Sequence, residues 1–124
     1  VNSNRSITED LVRRVDKAGY SALCVTVDLA VPGKRERDRR GKIDIAPPAN
    51  YKNEGRVKDK GVIESLSTFF DPSLSWKDIA WLRSLTTMPI VLKGIQCGED
   101  AVLAVKYGVD GIILSNHGGR QVDT

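Results

Sequence analysis

The chain has 124 residues, 40% of them hydrophobic and 28% charged, with a formal net charge of +3. This is the balance of an ordinary globular chain of one domain or less, and it excludes collagen-like and intrinsically disordered compositions. No run approaches the about 20 apolar residues that span a bilayer, and the start of the sequence has no signal-peptide core, so a soluble chain with no readable address is expected.

Cys24 and Cys97 are far apart and neither forms a C-x-x-C pair. With a single histidine they supply no zinc set, so no metal is expected. Cys24 lies in an apolar run and is expected to be a small buried hydrophobe. Much of the positive charge falls in the run from Lys34 to Arg40, interrupted by Glu36 and Asp38. Few aromatics are available for base stacking, so this run reads as a solvated face rather than a nucleic-acid site.

In chain order, Val1-Asn2-Ser3 resembles the tail of a strand. Ser6-Ile7-Thr8-Glu9 has capping-box spacing, and Ile7, Leu11, Val15 and Ala18 follow at helical spacing up to Gly19. Residues 22–28, Ala-Leu-Cys-Val-Thr-Val-Asp, form a continuous apolar run ending in polar residues, which suits a strand covered on both faces. From about Val31 to Pro72, charge, glycine and proline dominate and a long loop is expected, of a length that is usually functional or mobile. Ser75-Trp76-Lys77-Asp78 repeats the capping pattern ahead of Ile79, Leu82 and Leu85. Residues 89–95 predict a second strand, Glu99 to Tyr107 a helix stopped by Gly108, and residues 111–115 a third strand. Helix and strand alternate, so the class is α/β with parallel strands, either an open doubly wound sheet or part of a (β/α)8 barrel.

Each strand ends in reactive residue types: Thr26 and Asp28, then Lys93, then Ser115-Asn116-His117-Gly118-Gly119-Arg120. Parallel α/β folds gather the carboxyl ends of their strands on one face, where ligands bind, so these side chains are expected to share a site. The bland readings are a surface lysine, a loop-capping aspartate and a structural histidine. A lysine between Leu92 and Gly94-Ile95 is hard to explain as mere surface, and the two glycines after His117 allow backbone to approach a ligand.

Residues 115–123, Ser-Asn-His-Gly-Gly-Arg-Gln-Val-Asp, resemble the active-site signature of the FMN-dependent 2-hydroxy acid dehydrogenases and oxidases. That family includes glycolate oxidase, mandelate dehydrogenase and cytochrome-linked L-lactate dehydrogenase, the last being the most similar-looking group. Val25-Thr26-Val27-Asp28 with Gly33-Lys34-Arg35-Glu36 resembles the family's fourth-strand segment. Residues 71–78 and 89–94 resemble its fifth strand and the approach to it, so the resemblance runs along nearly the whole chain.

The resemblance implies a partial TIM (β/α)8 barrel of about three parallel strands with crossover helices, residues 1–124 being a fragment of the barrel domain. A complete barrel takes about 250 residues. It implies FMN as cofactor and oxidation of a small L-2-hydroxy acid of lactate or glycolate type, with oxygen or a cytochrome as electron acceptor. His117 would be the base, Asp28 the carboxylate paired with it, and Arg120 and Arg35 the grip on the substrate carboxylate. Thr26, Lys93 and Ser115 would contact the flavin, Lys93 beside its N1/O2 edge. The parent would be a homo-oligomer in a mitochondrial, peroxisomal or cytoplasmic compartment, with no membrane span. The isolated chain is expected to be inactive. The other reading is a non-catalytic α/β fragment that binds a small anion or a partner surface.

Overall fold

The structure, a computed structural model, describes residues 1–31, 33, 40 and 69–121. Most of the expected loop from Val31 to Pro72, and Arg35 within it, lies outside the described residues. The described elements are α1 (Arg5–Lys17), β1 (Leu23–Thr26), α2 (Lys77–Leu85), β2 (Ile90–Ile95), α3 (Gly98–Lys106) and β3 (Gly111–Leu114). The strands form one sheet in the order β1-β2-β3, and both pairs are parallel. Helix and strand alternate as the sequence predicts, and the open three-stranded sheet is an arc of a (β/α)8 barrel rather than a closed structure.

Alternation along the strands separates two faces. Val25, Ile90, Leu92 and Ile95 point toward the helices and form the core with Ile79, Leu82 and Ala104. Ile90, Leu92 and Leu82 are almost wholly buried, and each such side chain contributes about 1.5–3 kcal/mol of transfer free energy. The opposite face carries Cys24 in register with Val91, and Thr26 in register with Lys93. Among the described residues no helix covers this face. Cys24 is therefore exposed rather than buried, because it alternates away from Val25, and β1 is covered on one side only. Ile113 and Leu114 on β3 are likewise exposed.

The first helix begins earlier than its capping pattern implies. Asn4, not Ser6, is the cap: its side-chain oxygen accepts from the Ser6 amide at 3.2 Å and from the Ser6 hydroxyl at 2.8 Å. Thr8 and Val12 are the buried positions, flanked by half-buried Ile7, Leu11 and Val15, while Ala18 is exposed at the C-cap. Thr8 tolerates burial because its hydroxyl accepts from the Asn2 amide at 3.0 Å. Asn2 forms an isolated antiparallel bridge with Phe70. At α2 only half of the capping pattern forms: Asp78 accepts from both the amide and the hydroxyl of Ser75, at 2.7 and 3.0 Å, while the cap position falls on Trp76, which makes no side-chain capping bond.

Two ionic clusters fasten the helices. Arg5 donates to Asp71 at 2.6 Å and Asp78 at 2.8 Å and lies 4.7 Å over the Trp81 ring, joining α1 to α2. At the other end of the sheet, Arg83 pairs with Asp110 and donates to the carbonyls of Met88 and Gly108, at 3.1 and 2.8 Å. Asp110 also accepts from the Ile90 amide at 2.8 Å, fixing the entry to β2. The Arg83 hydrogen bond, helped by that amide, holds the Asp110 carboxyl below its ordinary range.

A carboxyl held low in the folded state stabilises above its unfolded pKa, and the contribution is lost as pH falls through the folded value. Asp110→Asn is therefore expected to lower the melting temperature at pH 7. The gap from the parent should narrow only as pH falls below the ordinary aspartate range and through the lowered folded value, where the parent carboxylate is protonated as well. Thermal unfolding of both proteins at pH 7 and at a series of acidic pH values measures it, and a gap that shows no narrowing at the acid end would count against the ion pair.

Candidate functional site

The site is assembled where the chain leaves each strand at its carboxyl end. β1 ends at Thr26, and the Val27 amide makes one more ladder bond, to the Lys93 carbonyl at 2.9 Å. Asp28 follows and turns over the end of β2. β2 admits it through an irregularity, since the register with β3 shifts between Lys93 and Ile95. The residue at that shift, Gly94, has a φ of +110°, and a Cβ placed there would lie 2.7 Å from both Cβ and Cγ of Asp28. Glycine is required at this position for conformation and for space.

The loop after β3 brings in the histidine. His117 has a φ of +61°, unusual for a residue with a side chain, and Gly118 and Gly119 continue in the same left-handed region. Local bonds hold this turn. The His117 amide donates to the Ser115 hydroxyl at 3.0 Å, the Gly119 amide donates to the Asn116 side chain at 3.1 Å, and the Arg120 amide donates to the His117 carbonyl at 3.3 Å.

The outcome is a pair between residues 89 positions apart. His117 Nδ1 lies 3.0 and 3.2 Å from the two carboxylate oxygens of Asp28. Asp28 has a side chain only 7% exposed, and a carboxylate so buried needs donors. The geometry therefore calls for a proton on Nδ1, donated to Asp28. Lys93 Nζ stands 3.5 Å from the same Nδ1. Two donors cannot bond to one another, so Lys93 acts here as a positive charge beside the pair, not as a partner of the ring.

Of the residues singled out in the sequence, Asp28, Lys93 and His117 are brought into contact, and Thr26 lies next to Lys93 in register on the same sheet face. Ser115 is adjacent, with its hydroxyl accepting from the turn backbone. Arg120 is on the same loop with its side chain exposed, and Arg35 is outside the described residues. Gly94 and Gln121 were quoted in the sequence patterns but given no role. A glycine interrupting a strand is a readable sign of a bulge. Gln121 has no local sign, because its partners are Asp28, Val31 and Gly33, some ninety residues away. A cavity of about 510 Å³ lies between α1, α2 and the first two strands and reaches the site at Thr26 and Gly94. It is lined largely by apolar side chains such as Leu11, Val12, Leu23 and Ile79, and neither His117 nor Lys93 borders it.

A parallel arc that gathers a carboxylate–imidazole pair and a lysine at the carboxyl ends of its strands has the layout of the ligand-binding rim of an α/β barrel. The whole chain, residues 1–124, matches the FMN-dependent dehydrogenases, and it belongs to that family. It is 47% identical over 123 residues to a cytochrome-type L-lactate dehydrogenase of Wickerhamomyces anomalus, covering 99% of this chain and 22% of that protein. It is 44% identical over 128 residues to a 2-hydroxyacid oxidase of Dictyostelium discoideum, covering all of this chain and 33% of that protein. Among solved structures, mandelate oxidase with (S)-4-hydroxymandelic acid superposes with a TM-score of 0.84 at 36% identity, over 98% of this chain and 36% of that one. The flavin-binding domain of baker's yeast flavocytochrome b2 gives a TM-score of 0.77 at 46% identity, over 99% and 27%. The chain thus spans about a fifth to a third of the length of these relatives.

Gly94→Ala tests the crossing of Asp28 over β2. It should destabilise the full-length protein by about 1–3 kcal/mol through overpacking and a strained φ. Gly98→Ala is the control, because a Cβ there meets nothing within 4 Å and no positive φ is involved. Urea unfolding should separate the two, and equal midpoints would contradict the close approach.

Proposed function

We propose that the full-length protein containing this chain oxidises a small L-2-hydroxy acid of lactate or glycolate type to the 2-oxo acid, using FMN. The observation that carries this is the Asp28–His117 pair, 3.0 Å apart and beside Lys93, in a chain of the FMN-dependent dehydrogenase family. The residues present suit a flavin. Lys93 and Thr26 are register neighbours on the sheet face that no described helix covers, and they offer a cation and a hydroxyl to a planar, electron-accepting ring. When bound, FMN would supply the two-electron acceptor for the substrate.

The chain's own residues would act as follows. His117 Nε2, unprotonated while Nδ1–H is committed to Asp28, accepts a proton from the 2-hydroxy acid. Asp28 keeps the ring in that tautomer and stabilises the imidazolium that results, a task for which a buried carboxylate at 3.0 Å is placed in advance. Lys93 provides positive charge at the strand end where negative charge would gather on the cofactor side. Arg120 would grip the substrate carboxylate through two parallel hydrogen bonds, with Arg35 as a second such arginine. Relatives described as cytochrome-linked and as oxidases match this segment almost equally, at 47% and 44% identity. That supports placing the hydroxy-acid half-reaction in this segment and the choice of acceptor elsewhere.

His117→Gln in the full-length protein is expected to slow flavin reduction by L-lactate about 10²–10⁴-fold while FMN stays bound, since base and cofactor contacts are separate groups. Stopped-flow absorbance measures both, and rapid reduction in this variant would refute the assignment of the base.

Arg120→Lys keeps the charge but loses the fork. It should lower kcat/KM for L-lactate about ten- to a hundredfold, as expected for losing one charged hydrogen bond. An unchanged kcat/KM would remove Arg120 from the substrate site.

A further inference from the structure

Among the described residues, Gln121 makes three hydrogen bonds to the segment that follows β1. Its Nε2 donates to the Asp28 carbonyl at 2.6 Å and to the Val31 carbonyl at 2.9 Å, and its Oε1 accepts from the Gly33 amide at 2.9 Å. The partners dictate the orientation of the amide, because two carbonyls require the NH2 and one N–H requires the oxygen. No other residue type of this length offers two donors and an acceptor at one planar tip. The two backbones also run close together: a Cβ on Gly33 would stand 2.8 Å from the Arg120 carbonyl and 3.2 Å from Gln121 Oε1.

The consequence bears on Asp28. Its side chain must face His117 Nδ1, yet Asp28 lies beyond the end of β1, and the last ladder bond is made by Val27. Beyond that point its backbone is held from below by contact with Gly94 and from the side by Gln121. The loop that supplies the histidine thereby also anchors the residue that orients it. We propose that Gln121 is a positioning residue, which keeps the Asp28 carboxylate on His117 Nδ1 by clamping the backbone at Asp28, Val31 and Gly33; this rests on the functional reading given above.

The test is flavin reduction by L-lactate in single-turnover mode on the FMN-loaded full-length protein. Gln121→Ala and Gln121→Glu are each made alone and in an Asp28→Asn background, with His117→Gln as reference. Gln121→Glu preserves size and the acceptor for Gly33 but turns an oxygen toward two carbonyls. Either substitution alone should lower the limiting reduction rate about ten- to a hundredfold, the scale of a small misplacement in a catalytic pair. The effect should appear in the limiting rate more than in the half-saturating lactate concentration. In the Asp28→Asn background the same change should alter the rate less than about twofold, because the group it positions no longer functions. An equal loss in both backgrounds would overturn the proposal and leave Gln121 a general scaffold residue, as would an unchanged limiting rate in Gln121→Glu. If Gln121→Ala fails to retain FMN, the Gln121→Glu pair of variants decides the matter. Undiminished reduction in His117→Gln would overturn the functional reading itself. A slow His117→Gln beside a normal Gln121→Glu would overturn this inference alone.

Discussion

Asp28 and His117 come from strands that do not touch. β2 lies between β1 and β3, so the 3.0 Å contact between the aspartate and the imidazole must be made across the end of the central strand. That is possible because β2 ends in a shifted register at a glycine, over which the Asp28 side chain passes with no room for a Cβ. Much else in the described structure can be understood as support for this crossing. Arg83 and Asp110 fix where β2 begins, the core side chains Ile90 and Leu92 fix its depth against the helices, and Lys93 then emerges where the pair is formed. A change of one residue in the register of β2 would send Lys93 to the helix side and Leu92 to the open side, because side chains alternate.

The electrostatics of the pair follow from burial. A carboxylate with little solvent access is tolerated where donors and positive charge surround it, and the His117 Nδ1–H and the Lys93 ammonium supply these. The imidazole gains from the arrangement in turn. Its Nδ1–H is committed to Asp28, which fixes the direction of Nε2, the atom that would take the substrate proton in the proposed enzyme. The lysine has a different task on each side. Toward Asp28 and His117 it adds to the field of the pair, and toward the uncovered sheet face it presents charge beside Thr26, where a flavin would lie in the proposed enzyme.

Period and punctuation in the sequence were enough for the architecture. The three apolar runs became the three parallel strands within a few residues of their expected bounds, and their polar ends carried Asp28, Lys93 and His117 to one rim. The differences have local physical causes. Asn4 outcompeted Ser6 as a helix cap because its side chain reaches the Ser6 amide, a choice that spacing alone does not make. Cys24 sat in an apolar run but on the face away from the helices, and an apolar run does not say which of its two faces is covered. Gly94 could have been read as a bulge. The role of Gln121 could not, since its three partners lie far off in sequence and are backbone groups with no residue identity of their own.

The distribution of support around the rim is uneven. Asp28 is held by Gly94 beneath it and by Gln121 beside it, and Lys93 by the ladder on both sides of β2. His117 instead sits in a left-handed turn that costs of order 1 kcal/mol or more, and what holds it is the Ser115 hydroxyl, the Asn116 side chain and the bond to Asp28. Below that turn runs β3, whose Ile113 and Leu114 are exposed. The histidine loop is thus tied to the segment after β1 as well as to its own strand, through the two side chains, His117 and Gln121, that it sends across. In the proposed enzyme these two ties would hold the base against its orienting carboxylate. The pair is thus made entirely within this arc, while its placement against a hydroxy acid in the proposed enzyme would depend on how the exposed strand β3 is supported in the full-length protein.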